Sequence, residues 1–140
     1  MFVDIIEAHV DLHDASVEKE VVSKWREIAA RIGRGIPVNE KEWEHFVLTK
    51  KELNENGIDI LQLEVGDSIR VWLVCRSFSS VYYLQNLSDE DKLRDILKTL
   101  VTYLSAHERH AGERHLEMTL RISSEQFKRA VRYFQNRGMS

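Results

Sequence analysis

The chain has a single cysteine, Cys75, among its 140 residues. An internal disulfide is therefore excluded, as are CxxC metal and redox motifs, and a reducing compartment is the expected setting. No apolar run approaches the ~20 residues that cross a bilayer. The start, Met1-Phe2-Val3-Asp4-Ile5-Ile6-Glu7, lacks the basic head and apolar stretch of a signal peptide. The expectation is a cytoplasmic protein with no membrane partner. Low-complexity tracts and internal repeats are also missing, which argues against disorder except at the ends.

Catalytic signatures are equally scarce. The chain has no HExxH, no GxGxxG and no Walker-type phosphate loop, so neither a zinc protease nor a nucleotide cofactor is indicated. Gly33-Arg34-Gly35 reads as a helix stop. Ser77, Ser79 and Ser80 lie in a predicted turn without the glycines of a nucleophile elbow. Cys75 falls on the apolar face of a predicted strand, where cysteine packs as a small hydrophobe. No catalytic residue is assigned and no cofactor is expected.

What is present is enough for one domain, residues 1–140. A chain near this length buries ~68–70 % of its surface on folding and needs no staple. Hydrophobic residues make up 43 %, with Trp25, Trp43 and Trp72 well spread. Net charge is only −3, but the two ends differ. Residues 1–20 hold six acidic residues against Lys19, whereas residues 107–140 hold seven Lys or Arg against four Glu. Asymmetry of this size is read first as a solvated surface.

Residues 6–13 alternate, Ile6, Ala8, Val10 and Leu12 against Glu7, His9, Asp11 and His13. That is a strand with one dry and one wet face. A helix follows, capped by Asp14 or Ser16, with Val17, Val21, Val22, Trp25, Ile28, Ala29 and Ile32 as its stripe. Asn39 with Glu42 (a capping box) and Val38 with Trp43 (a staple) predict a second helix from about residue 40, ended by Asn56-Gly57. A short strand at Trp43–Thr49 competes with it.

Ile58–Val65 and Ser68–Arg76 form a hairpin across a two-residue Gly66-Asp67 loop of type II′. Val81–Gln85 adds a third strand to make a meander. Ser88 opens another helix with Asp89, Glu90 and Asp91 in its first turn, striped by Leu93, Ile96, Leu97, Leu100, Val101 and Leu104. His115–Ile122 alternates again. The last helix starts from a Ser123–Gln126 capping box and buries Phe127, Ala130, Val131 and Phe134. The fold class is α+β: an antiparallel or mixed sheet of about five strands, including the meander, with three to four helices packed mainly on one face. The element order loosely resembles that of small secretion chaperones and toxin-neutralising immunity proteins, without a shared motif.

Three surfaces compete for function. Five of the six histidines fall in 9–13 and 107–115, beside carboxylates. Alternate strand residues stand about 6.5–7 Å apart, so His9 and His13 reach one ion only with help from a neighbouring strand. His115 and Glu117 would supply it if first and last strands were adjacent, making His9, His13, His115 and Glu117 the metal set of a small metal-dependent enzyme. A solvated polar face is the simpler reading. His107 and His110 complement the negative end of a helix. The final helix carries Lys128, Arg129, Arg132 and Arg137, a third candidate as a phosphate grip, but on an acidic chain nucleic acid is not the expected partner.

The leading candidate is the outer side of the meander: Arg70, Trp72 and Arg76, with Tyr82 or Tyr83 beside them. Trp, Tyr and Arg combine large area with a polar handle and dominate interface energetics. A helix near residues 40–55 lying over Trp72 would instead make it core. The expectation is a regulatory protein-binding module that covers another protein's surface, with a homo-oligomer as a further possibility.

Overall fold

The computed structural model describes residues 4–36, 40–105 and 117–137, with the side chains of residues 40–43, 45 and 46 excepted. Four strands and five helices occupy these stretches. Strand β1 (Asp4–Asp11) leads to helices α1 (Ala15–Gly33) and α2 (Glu40–Asn54). The hairpin β2 (Ile58–Val65) and β3 (Ile69–Cys75) follows. After it come α3 (Phe78–Asp89), α4 (Lys92–Leu104), β4 (Thr119–Arg121) and α5 (Ser124–Asn136).

The strands form one antiparallel sheet in the order β2-β3-β1-β4. The protein is therefore α+β, with four strands and five helices where about five and three to four were expected. Alternation sets the two faces of the sheet. Ile6, Ala8 and Val10 of β1, Ile58, Ile60 and Leu63 of β2, and Ile69, Val71, Leu73 and Cys75 of β3 are all 0–3 % exposed. They join the buried stripes of the helices in one continuous core. Helices α1 and α2 lie against β2, α5 against β1 and α3 against β3, while α4 packs on α1, α2 and α3.

Local chemistry explains most element ends. Asp14 caps α1 by accepting from the backbone N–H groups of Ser16 and Val17 at 3.0 and 3.3 Å. Val21, Val22, Trp25 and Ile28 then face the core. The helix expected from residue 40 forms, and Leu53 is fully buried. Gly57, at φ +76°, turns the chain into β2, a conformation that favours glycine. Val38, Asn39 and the side chains of Glu42, Trp43 and Phe46 lie outside the described residues, and so does the expected staple.

Four expectations are corrected. Residues 81–85 are not a third meander strand but the middle of α3. Val-Tyr-Tyr-Leu is rich in strand formers, yet Val81, Leu84 and Leu87 recur at helical spacing and are the buried set. Ser77 caps that helix, its Oγ accepting from the Ser80 N–H at 3.2 Å.

Because α3 runs to Asp89, the acidic residues after Ser88 do not open the next helix. Instead the chain turns at Asp91, with φ +60°, and α4 begins at Lys92. The hairpin loop has three residues rather than two. Val65 pairs with Ile69, the Ser68 carbonyl accepts from the Gly66 N–H at 2.9 Å, and Gly66 does not take the positive φ of a type II′ turn. Finally, the Ser123–Gln126 capping box does not close. Ser123 Oγ accepts from the Glu125 N–H at 3.3 Å, and Gln126 turns to β1 instead.

Candidate functional site on the outward face of the sheet

The register places the outward side chains in rows across the strands. Asp59, Val74 and Ile5 form the first row, Gln62, Trp72 and Glu7 the second, and Glu64, Arg70, His9 and Arg121 the third. Asp11 and Thr119 begin a fourth. A bulge between Ile60 and Gln62 sends Leu61 outward as well. Leu61 is 53 % exposed and Ile5 40 %, while Trp72 and Val74 are half-buried. The first two rows thus mix apolar groups, Val74, Ile5 and Trp72 with Leu61 beside them, with Asp59, Gln62 and Glu7, while the third holds Glu64, Arg70, His9 and Arg121.

Ion pairs hold several of the charged groups. Glu7 Oε1 lies 3.6 Å from Arg70 Nε and 3.8 Å from His9 Nε2. Asp59 stands 3.3 Å from Lys50 Nζ and 3.8 Å from Arg76 Nη2. The pairs of Glu7 and that of Arg76 are partly exposed, where each contributes only tenths of a kcal/mol, while Asp59 Oδ1, facing Lys50, is buried.

The edge of β1 is closed in two ways. Near its end, β4 pairs with residues 9–11. Near its start, α5 takes over: Gln126 Oε1 accepts from the Glu7 N–H and Nε2 donates to the Glu7 carbonyl, both at 2.7 Å. One side-chain amide thereby satisfies both backbone groups of Glu7 as a neighbouring strand would. Arg129 adds a bond from Nη2 to the Ile5 carbonyl at 2.6 Å and pairs with Asp4 at 3.8 Å.

The turn after β1 gathers Asp11, His13, Glu18 and Thr119. Asp11 Oδ1 accepts from the His13 N–H at 2.8 Å and holds that residue at φ +59°. His13 Nε2 reaches Thr119 Oγ1 at 3.2 Å. Glu18 is 3 % exposed, and its Oε2 accepts from the Leu12 N–H at 2.9 Å. Burial pushes the Glu18 carboxyl above its ordinary range. The bond from Leu12 opposes this, and the neighbouring Asp11 adds to the rise through its charge and a hydrogen bond. Burial also pushes the Cys75 thiol up to about 12, Asp4 adding to it, so the group stays protonated and is no nucleophile at neutral pH.

Of the expected binding residues, Arg70 and Trp72 share the outward face, and Arg76 stands at its rim on Asp59. Tyr82 and Tyr83 do not join them. They belong to α3, where Tyr82 is 45 % exposed and meets Phe78 edge-on at 4.8 Å, and Tyr83 packs against the core. Helix α2 does not reduce Trp72 to core: it stays half-buried. Ile5, Leu61 and Gln126 carried no signal in the sequence, because a bulge and a long-range side-chain bond leave no local pattern.

The first and last strands are adjacent, which the metal set required. Among the described residues, however, no group of three or more His, Cys, Asp or Glu is placed to hold an ion. His107, His110 and His115 lie outside the described residues, and Glu117 is exposed. Three of the four cations on the last helix act within the chain: Arg129 on Ile5 and Asp4, Lys128 on Glu125 at 3.5 Å, and Arg137 stacked 3.7 Å over the Tyr133 ring. A shallow groove of about 250 Å³ between α2 and α4 is lined by Leu48, Thr49, Glu52, Asp95, Ile96 and Thr99 and offers neither histidine nor thiol. Comparison with known proteins gives no likeness: no family model matches the chain, and searches of curated proteins and of solved structures find no match.

Proposed function

We propose that the protein is a binding module that covers the surface of another protein with the outward face of its sheet, as a chaperone, inhibitor or immunity protein does. The observation that carries this reading is Trp72. It stands half-buried in an open face, between Val74, Ile5 and Leu61, with Arg70 and Arg76 at the margin. A rigid aromatic ring with apolar and guanidinium groups nearby, and Gln62 and Glu7 directly across the strands, has the composition of an interface anchor. Covering a partner needs no cofactor and no catalytic group. The action is placed in the cytoplasm, where a lone thiol stays reduced; no described helix is long and apolar enough to cross a membrane.

The test compares two immobilised proteins, wild type and Trp72→Ala, exposed to the same cell extract. A partner of this face is retained by the first and lost by the second, with affinity reduced about thirtyfold or more, while the variant keeps a cooperative melting transition. If every retained protein binds both equally, the face is not the interface.

A further inference from the structure

The chemistry of this face selects an occupant. Its third row reads Glu64, Arg70, His9, Arg121 from β2 to β4. Arg70 and His9 both lie near Glu7. Glu64 and Arg121, at the two ends of the row, enter no side-chain hydrogen bond or ion pair among the described residues. A uniformly anionic ligand such as nucleic acid would meet Glu7, Glu64 and Asp11 on the same face, which opposes it. Glu64 and Arg121, of opposite sign at the mirrored ends of the row, suit a copy of the same face.

We propose that the outward face binds a second copy of this chain, sheet on sheet, about a two-fold axis that runs parallel to the strands between β3 and β1. That axis lays β2 over the second copy's β4 and β3 over its β1. Each row then falls on itself in reverse. Glu64 meets the second copy's Arg121, and because the contact is isologous the pair forms twice. Val74 meets the second copy's Ile5, and Trp72 lies over its Glu7 beside Leu61. Face-to-face sheets pack about 10 Å apart, a gap that Glu and Arg side chains reaching toward each other span.

The area sets the strength. Three strands of seven to eight residues and the three-residue β4, ~4.8 Å apart, cover roughly 400 Å² in projection on each copy. That lies below the standard size of specific interfaces, so association is weak, with a Kd on the order of 10–100 µM. Such a pair shields Trp72, Val74, Ile5 and Leu61 at high concentration and yields to a tighter partner. The inference rests on the reading of this face as an interface and names what occupies it in the protein alone.

Sedimentation equilibrium of the full chain from about 5 to 500 µM reads the expected range. Glu64→Arg and Arg121→Glu each set two like-charged pairs across the axis and should raise the dissociation constant at least about tenfold. The double variant restores opposite charges and should return to within about threefold of wild type. Circular dichroism confirms that each variant is folded. Should either reversal fail to fold, Glu64→Gln and Arg121→Gln carry the test with a loss of about three- to fivefold. A monomer at every concentration overturns the proposal, as does a dimer indifferent to both single changes or a double variant as weak as the singles. A monomeric wild type whose heterologous partner is still lost on Trp72→Ala removes the self-pairing and leaves the binding module standing.

Discussion

Strand β3 shows two surfaces in seven residues. Ile69, Val71, Leu73 and Cys75 are 0–3 % exposed, while Arg70 is open to solvent and Trp72 and Val74 are half-covered. Neighbours in sequence thus live in different environments because successive side chains leave a strand in opposite directions. The inward side is bound by packing, where a lost methylene leaves a cavity. The outward side is bound by exposed pairs that contribute little. Stability and the proposed recognition are separated by one position along the chain, and substitutions should separate the same way.

The largest contrast is between Leu73 and Trp72. Leu73→Ala should lower unfolding free energy by about 3–4 kcal/mol, since the residue is fully buried. Trp72→Ala, though it removes more atoms, should cost less, under about 2 kcal/mol, because part of its surface already meets water. Urea titration of the two variants decides; equal losses would erase the distinction between faces.

Gln126 tests the border. Gln126→Ala leaves the Glu7 N–H and carbonyl without their partner and should cost about 1–3 kcal/mol. Gln126→Glu should cost at least as much, for it sets a carboxylate oxygen against the Glu7 carbonyl where an amide N–H had donated. A Glu variant as stable as wild type would mean that this link is not formed.

Glu18 is the exception on the dry side, and pH exposes it. Its folded pKa lies above the ordinary 4.5, so the folded chain holds this proton more tightly than the unfolded one. Protonation therefore favours folding, and that contribution is lost as pH rises through the raised value. Glu18→Gln keeps an acceptor for the Leu12 N–H and removes the titration. Relative to this variant, wild type should lose stability from pH 4.5 toward neutrality. A difference that stays constant with pH contradicts the assignment.

Arg70 should show the smallest effect. Arg70→Ala removes only an exposed pair to Glu7 and should change stability by about 0.5 kcal/mol or less. A larger loss would give the outward face a structural duty.

Much of this division was legible before any coordinates. The alternation of residues 6–12 and 69–75 names the dry side of β1 and β3, and the stripes of α1, α4 and α5 name helices that share its core. Asp14 is readable as a cap because the groups it satisfies are two and three residues away. The misreadings share a cause, which is competition from distant partners. Val81–Gln85 carries strand formers, yet the core accepts a helix there. Gln126 sits three residues after a serine, as a capping box requires, but a strand 119 residues away offers it two backbone groups. The burial of Glu18, the bulge at Leu61 and the missing turn at Gly66 likewise depend on what the rest of the chain brings near.

The closure of β1 by Gln126 and Arg129 bears on how copies of this chain avoid fusing. A bare strand edge is a template on which another extended segment can grow. With β4 only three residues long, half of β1 would be such a template. Side chains from a helix occupy it, and they cannot be copied onward from molecule to molecule as a backbone ladder can. The opposite edge, β2, is interrupted at Leu61 by its bulge. Neither rim of the sheet presents a long straight ladder to nucleate fibrils, so the contacts proposed above fall to the open face, where side chains rather than backbone are presented.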